Sequence, residues 1–261
     1  ACGAGGQLVC GSADGCPGGC GSICQMPEVT TPASTNSNTN TFEFSHLTIA
    51  LPQGLATRAV YSELPELTPA PEEPYFALSP ASYSLTLENY PAGDFNRIQT
   101  ISISSYLSMD EPNGLISTEL TNLQNLLRDR PAAPSEIPDL PVVNAAQVFV
   151  SQVAYLDLPN ASGVRFLTYY AQDVSPLINP RVFYAFRGLS KDGAYIIEAI
   201  LPVRVNLLPD AYDPNLNYET FSENFETYLA DLILQIDNAP ADVFYPRLQT
   251  LDELMLSLTV H

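Results

Sequence analysis

The residues best suited to chemistry are five thiols, Cys2, Cys10, Cys16, Cys20 and Cys24, which are all the cysteines of a 261-residue chain. They share the first 24 residues with eight of its fourteen glycines. Such a segment buries too little apolar surface to order itself and needs bridges, a metal or a lipid. Three readings are open. In the first, Cys2 carries a lipid, since Ala1-Cys2-Gly3 has the small residue before a modifiable cysteine, and Cys10, Cys16, Cys20 and Cys24 form two disulfides. That arithmetic uses all five, although processing at such a site would leave the cysteine first. In the second, four thiolates hold zinc or an iron–sulfur cluster, but gaps of seven, five, three and three residues match neither zinc ribbons nor ferredoxins. In the third, bridges form without lipid and one thiol stays free or pairs between chains.

A second set is built of oxygen. Asp210, Asp213, Asn215, Asn217 and Glu219 place side-chain oxygens along one loop, as a calcium site with six to eight ligands requires. An EF-hand is excluded, because Tyr218 and Asn224 stand where its turn glycine and closing glutamate belong. Without calcium the same loop is an Asx-turn linker that caps the helix after it.

A third set is polar and lies on predicted hairpins: Asn144, Gln147, Arg165, Gln172, Tyr184, Arg187 and Asp192. Arg165 and Arg187 on adjacent strands would form one positive spot able to accept a carboxylate, with Asn144 and Gln147 beside it. The alternative is that each arginine pairs internally with an acid such as Asp157 or Glu198. Hydrolytic chemistry finds little support. His46 and His261 are the only histidines, and no nucleophile-elbow, zincin, Walker or dinucleotide-binding pattern occurs. The carboxylates Glu219, Glu223 and Glu226, and Asp252 with Glu253, read as solvated helix faces. A hydrolase with an acidic site at Asp192 or Asp210 is therefore a subordinate alternative, and the chain reads as a non-enzyme with no catalytic residue assigned.

The charge balance narrows the partners. Twenty-nine acidic residues face ten basic ones, a formal charge of −19, with Lys191 the single lysine. Nucleic acid is excluded as a partner, because phosphate binding needs clustered Lys and Arg. Cations and cationic surfaces are favoured. No run of about 18 apolar residues offers a transmembrane helix. Thiols confined to one end suit an oxidising, extracytoplasmic compartment.

These residues need elements to position them. After the Cys/Gly segment (1–24), residues 25–40 are a Pro/Ser/Thr/Asn linker. A single domain then covers 41–261. Phe42 to Leu51 predicts a strand ended by Pro52, and Leu64 to Pro74 a surface excursion. Tyr83, Leu85 and Leu87 alternate with polar residues, and Ile98 to Met109 predicts another strand. Leu115, Ile116, Leu120, Leu123, Leu126 and Leu127 predict a helix capped by Asn113 or Ser117 and ended at Arg130 by Pro131. Ala145–Leu158 with Val164–Asp173, and Val182–Leu189 with Tyr195–Val203, predict two long hairpins, the second turning at Gly193. Phe221 to Ile236 and Leu248 to Leu258 carry helical periodicity and would cover one face. The fold class expected is α+β: an antiparallel sheet of about five to seven strands with long hairpins and helices packed on it.

The stretch 144–202 also resembles a family of uncharacterised bacterial extracytoplasmic lipoproteins. Its residues Asn144, Ala145, Gln147, Asn160, Gly163, Arg165, Leu167, Thr168, Tyr184, Phe186, Gly188, Leu189, Asp192, Gly193, Tyr195 and Pro202 fit that family's pattern, whereas Arg187 stands where glutamine is more usual. More loosely, the element order is similar to PsbP/Mog1-like domains. The resemblance implies an anchor at the N-terminal cysteine and no particular activity. The expectation is a membrane-anchored lipoprotein of the periplasm or cell surface. It would act as a binding or accessory subunit of a membrane-associated complex. The alternative is a structural subunit of a cell-surface assembly.

Overall fold

The clearest alternation in the sequence becomes the centre of the main sheet. The computed structural model describes residues 40–67, 79–110 and 114–261, and by backbone alone the short strands Gln7–Leu8, Cys24–Gln25 and Ser34–Thr35. In chain order the elements are β1 (Thr41–Glu43), β2 (Leu47–Ala50), β3 (Arg58–Leu64), β4 (Ser82–Glu88), β5 (Arg97–Ser102), α1 (Ile103–Leu107) and α2 (Leu115–Asp129). Then follow β6 (Ala146–Gln147), β7 (Ser151–Asp157), β8 (Ala161–Thr168), β9 (Tyr170–Ala171), β10 (Phe183–Ser190), β11 (Tyr195–Pro202) and β12 (Arg204–Val205). The chain closes with α3 (Tyr218–Glu223), α4 (Phe225–Asp237), β13 (Phe244–Tyr245), α5 (Leu248–Leu256) and β14 (Thr259–Val260).

Seven strands form one antiparallel sheet in the order β7-β8-β10-β11-β5-β4-β3, so the class is α+β. Both hairpins form, but the run Ala145–Leu158 is split into β6 and β7, and β7 slips register between Ser151 and Ala154. Gly193 turns the second at φ +72°, and the Asp192 carboxylate accepts from the Ala194 amide and the Ser190 hydroxyl. β14, β2, β1 and Ser34–Thr35 make a smaller sheet. Asn160, in the first hairpin turn, fastens it: its side chain accepts from the Val260 amide at 3.2 Å and donates to the Val260 carbonyl.

Both faces of the main sheet are covered. On one lie Leu85, Ile98, Leu167, Tyr184, Phe186 and Ile197, packed with Leu232 and Ile236 of α4 and Leu248, Leu251 and Met255 of α5. On the other, Ile101, Val164, Phe166, Ala185 and Ile196 meet Tyr106 of α1 and Ile116, Leu120, Leu123 and Leu127 of α2. A fully buried side chain of this kind contributes about 1.5–3 kcal/mol. The C-terminal helices α4 and α5 therefore share one face, as expected. The helix embedded between strands and the C-terminal helices lie on opposite sides.

Other boundaries differ for local reasons. Phe42–Leu51 is two strands rather than one, folded back at Ser45-His46 so that Phe42 pairs with Ile49. β5 stops at Ser102, whose hydroxyl accepts from the Ser105 amide and starts α1, so residues 103–107 are helical. Asn113 lies outside the described residues, and Ser117 does not cap α2, whose N-cap position is Gly114. The Asp110 carboxylate accepts from the Ile116 and Ser117 amides at 2.9 and 3.0 Å. Arg130, at φ 46°, closes that helix before Pro131. The side chains of Cys2, Cys10, Cys16, Cys20 and Cys24, most of the linker and the centre of the 64–74 excursion lie outside the described residues.

Candidate functional site

Arg165 and Arg187 sit on adjacent strands, β8 and β10, yet they form no common positive spot. Arg165 is opposite Phe186 and Arg187 opposite Val164, so the pleat sends the two side chains to opposite faces. Arg187 points to the α2 face, where its guanidinium meets Glu198 at 3.3 Å and its Nη1 donates to the Phe186 carbonyl. The two side chains are 1% and 2% exposed. Arg97 reaches the other oxygen of Glu198 at 2.8 Å. Arg165 points to the α5 face, where its Nε donates to Asp252 at 3.1 Å and its Nη1 to the Gln152 carbonyl. The Tyr184 hydroxyl donates to the same Asp252 oxygen at 3.0 Å. Burial pushes Asp252 up from the ordinary carboxylate range, against the pull of Arg165 and Tyr184. Asp252 is thus a half-buried, paired acceptor and not part of a solvated face. Its place four residues after Leu248, on the apolar stripe of α5, is the sequence signal for that.

Gln147 is spent on structure. Its carboxamide accepts from the Ile137 amide at 2.9 Å and donates to the Ile137 carbonyl and the Tyr170 hydroxyl. Tyr170 in turn donates to Asp139. Burial raises the Asp139 carboxyl to about 6, while Tyr170 and Arg187 hold it from going higher. This chain of Gln147, Tyr170 and Asp139 pins the segment 137–139 over the sheet.

The oxygen-rich loop is likewise engaged locally. Asp210 accepts from Arg204 at 2.7 and 2.8 Å and from the Asn179 amide group, and these bonds hold its carboxyl below the usual range. Asp213 accepts from the Asn215 backbone, and Asn217 caps α3 through the Thr220 amide. Glu219 stands in the first turn of α3. No group of three or more His, Cys, Asp or Glu arranged for a metal ion occurs among the described residues. Of the histidines, His46 stacks on Tyr83 and His261 bonds the Thr48 hydroxyl through Nε2.

A groove of about 830 Å³ between the β6/β9 ribbon and α4 is open to a ligand. It brings together Asn144, Gln147 and Gln172 of the predicted set, where the Gln172 side chain donates to the Asn144 carbonyl at 2.6 Å. Val143, Val148 and Val174 supply its apolar wall on the ribbon side, and Phe225 and Leu229 the wall on α4. The start of α4 is held in place by ring contacts among Phe221, Phe225 and Tyr228, two of them edge-on and one tilted, with centroids 5.2–6.3 Å apart. The Tyr228 hydroxyl accepts from the Leu177 amide. Asp173 and Glu226 contribute the two charges of the lining, and no basic residue belongs to it. Sequence reasoning missed Asp173, Phe225, Glu226 and Leu229 as site residues, since three of the four stand more than 50 positions away on what reads as an ordinary amphipathic helix.

Comparison with protein-family models, with curated proteins and with solved structures finds no match to this chain.

Proposed function

We propose that the chain is a binding or accessory subunit of a membrane-associated complex, tethered outside the cytoplasm by a lipid on Cys2. In this reading the groove between β6/β9 and α4 takes an extended cationic segment of a partner subunit. The observation that carries it is the lining: a mixed apolar and amide trough whose two charges, Asp173 and Glu226, are both negative. A chain of net charge −19 adds a long-range field of the same sign. The resemblance of residues 144–202 to extracytoplasmic lipoproteins supports the compartment, and the N-terminal cysteine supports the anchor.

Two measurements test it. Fluorescence anisotropy should give tighter binding of lysine-rich than glutamate-rich decapeptides. That preference should fall at least tenfold in Glu226→Lys while the melting temperature holds; equal affinity for both peptides would remove the groove from the proposal. Intact mass of the membrane-derived protein under non-reducing conditions should show acylation at Cys2 and two bridges among Cys10, Cys16, Cys20 and Cys24, and an unmodified Cys2 would remove the tether.

A further inference from the structure

Nine of the ten basic side chains are committed inside the fold. Seven arginines are ion-paired. Arg181 stacks over Tyr169 and Tyr212 and donates to Ser175, and Lys191 donates to the Leu158 and Pro159 carbonyls. Arg247 is the exception. Its guanidinium makes no hydrogen bond, ion pair or ring contact with any described residue, in a chain that carries 29 acids.

Arg247 is exposed and lines a pocket of about 580 Å³, within the range that suits a small ligand. β12 and β13 build one wall and place Arg204 directly opposite Tyr245, which is 53% exposed. The buried side chains of Leu55 and Phe244 supply apolar surface, and Gln53, Asn206 and Thr250 polar groups. Arg204 joins the lining but already shares its charge with Asp210 through Nη2. Asp242 is the only acid of the lining, and with the Arg204 charge met by Asp210 the Arg247 guanidinium is the one uncommitted cation of the lining.

We propose that this pocket binds a small organic monocarboxylate, gripped by the Arg247 guanidinium, with its apolar or aromatic body on Leu55 and Phe244 beside Tyr245. The planar fork of arginine matches a carboxylate with two parallel donors. A single uncommitted guanidinium suits a monoanion. A phosphate dianion or a polyanion would meet the repulsion of a −19 molecule with too little local compensation. The apolar surface selects for a hydrophobic body, and Tyr245 offers a ring face to stack on. The site shares no lining residue with the groove at α4, so either can fail without the other.

The test is a titration of the full chain followed by nuclear magnetic resonance at the Arg247 Nε–H and the Tyr245 ring. Phenylacetate, its uncharged isostere phenylacetamide and inorganic phosphate are the probes. Phenylacetate should give saturable shifts at both positions, while phenylacetamide and phosphate bind at least tenfold more weakly. Arg247→Gln should weaken phenylacetate at least tenfold, Arg247→Lys should retain part of the affinity, and Tyr245→Ala should weaken it with the arginine intact. The exposed side chain makes Arg247 variants compatible with the fold, which unchanged amide spectra elsewhere would verify. Equal binding of the acid and its amide, tighter binding of phosphate, no response to Arg247→Gln, or no saturable shift would each overturn the proposal.

Discussion

Arg187 on β10 and Glu198 on β11 face each other directly across the ladder, charged atoms 3.3 Å apart and both side chains sealed from solvent. A pair taken this far from water contributes little net stability, because desolvation offsets the attraction. Breaking it is another matter. Glu198→Gln leaves two guanidinium groups without their shared carboxylate and should cost about 3–5 kcal/mol, read as a lowered urea midpoint. Arg187→Met with Glu198→Leu should recover most of that loss, since Arg97 is partly exposed and can turn to solvent. A midpoint for Glu198→Gln equal to that of the parent would show that the pair does not matter to stability.

Asp139 sets a pH dependence. Burial raises its carboxyl from 3.8 to about 6, so the folded state binds the proton more tightly than the unfolded chain. Protonation therefore stabilises the fold: the gain is complete below about pH 3.8 and is lost as pH rises through about 6. Asp139→Asn keeps an acceptor for Tyr170 without the charge. It should stabilise the protein at pH 7.5 by at most about 3 kcal/mol and remove the slope attributable to this group in thermal melts between pH 4 and 6.5. A variant with the parental slope would assign that slope to other groups.

The Gly163–Gly188 pair exists for a ring. A methyl group on Gly163 would stand 2.2 Å from the Phe186 ring and 2.7 Å from the Arg187 carbonyl oxygen, and one on Gly188 would stand 2.6 Å from the same ring. Phe186, two residues before Gly188, lies along this strip on the face that α5 covers. Gly163→Ala and Gly188→Ala should each destabilise by about 1–3 kcal/mol through overpacking, measured by chemical denaturation. Wild-type stability in either would mean that the ring moves aside without cost.

Asn160 offers a local test. The triplet Asn160-Ala161-Ser162 reads as a glycosylation acceptor in other settings, but here the amide clamps both backbone groups of Val260. Asn160→Ala should cost about 1–2 kcal/mol and speed hydrogen exchange at Val260, with the main ladder still protected. Unchanged exchange at Val260 would rule out the clamp.

The hairpins were legible because strand alternation is a local signal. Val164, Phe166 and Ala185 announce one face, and Leu167, Tyr184 and Phe186 the other. The stripe of α2 was legible for the same reason, through Ile116, Leu120, Leu123 and Leu127. The side taken by α2 was not, because no local pattern says which face of a twice-covered sheet a helix will meet. The ion pairs were half legible: Glu198 was a named partner for Arg187, while Arg165 found Asp252 and Asp157 went to Arg130. The groove was the least legible part, since it joins residues 143–148 and 171–174 to 225–229 and depends on tertiary packing alone.

The outer strand β7 slips register between Ser151 and Ala154, and Gln152 there takes a left-handed φ of 54°. Asp237, at the end of α4, accepts from the Ser151 hydroxyl and the Gln152 amide, and the Gln152 side chain donates back to the Ile236 and Asp237 carbonyls. A strand so bent and bonded cannot serve as a template for another chain's strand. Neighbouring copies crowded on one surface would therefore slide past each other at this border rather than zip into fibres. Within the main sheet, edge-to-edge pairing is left to the opposite border at β3.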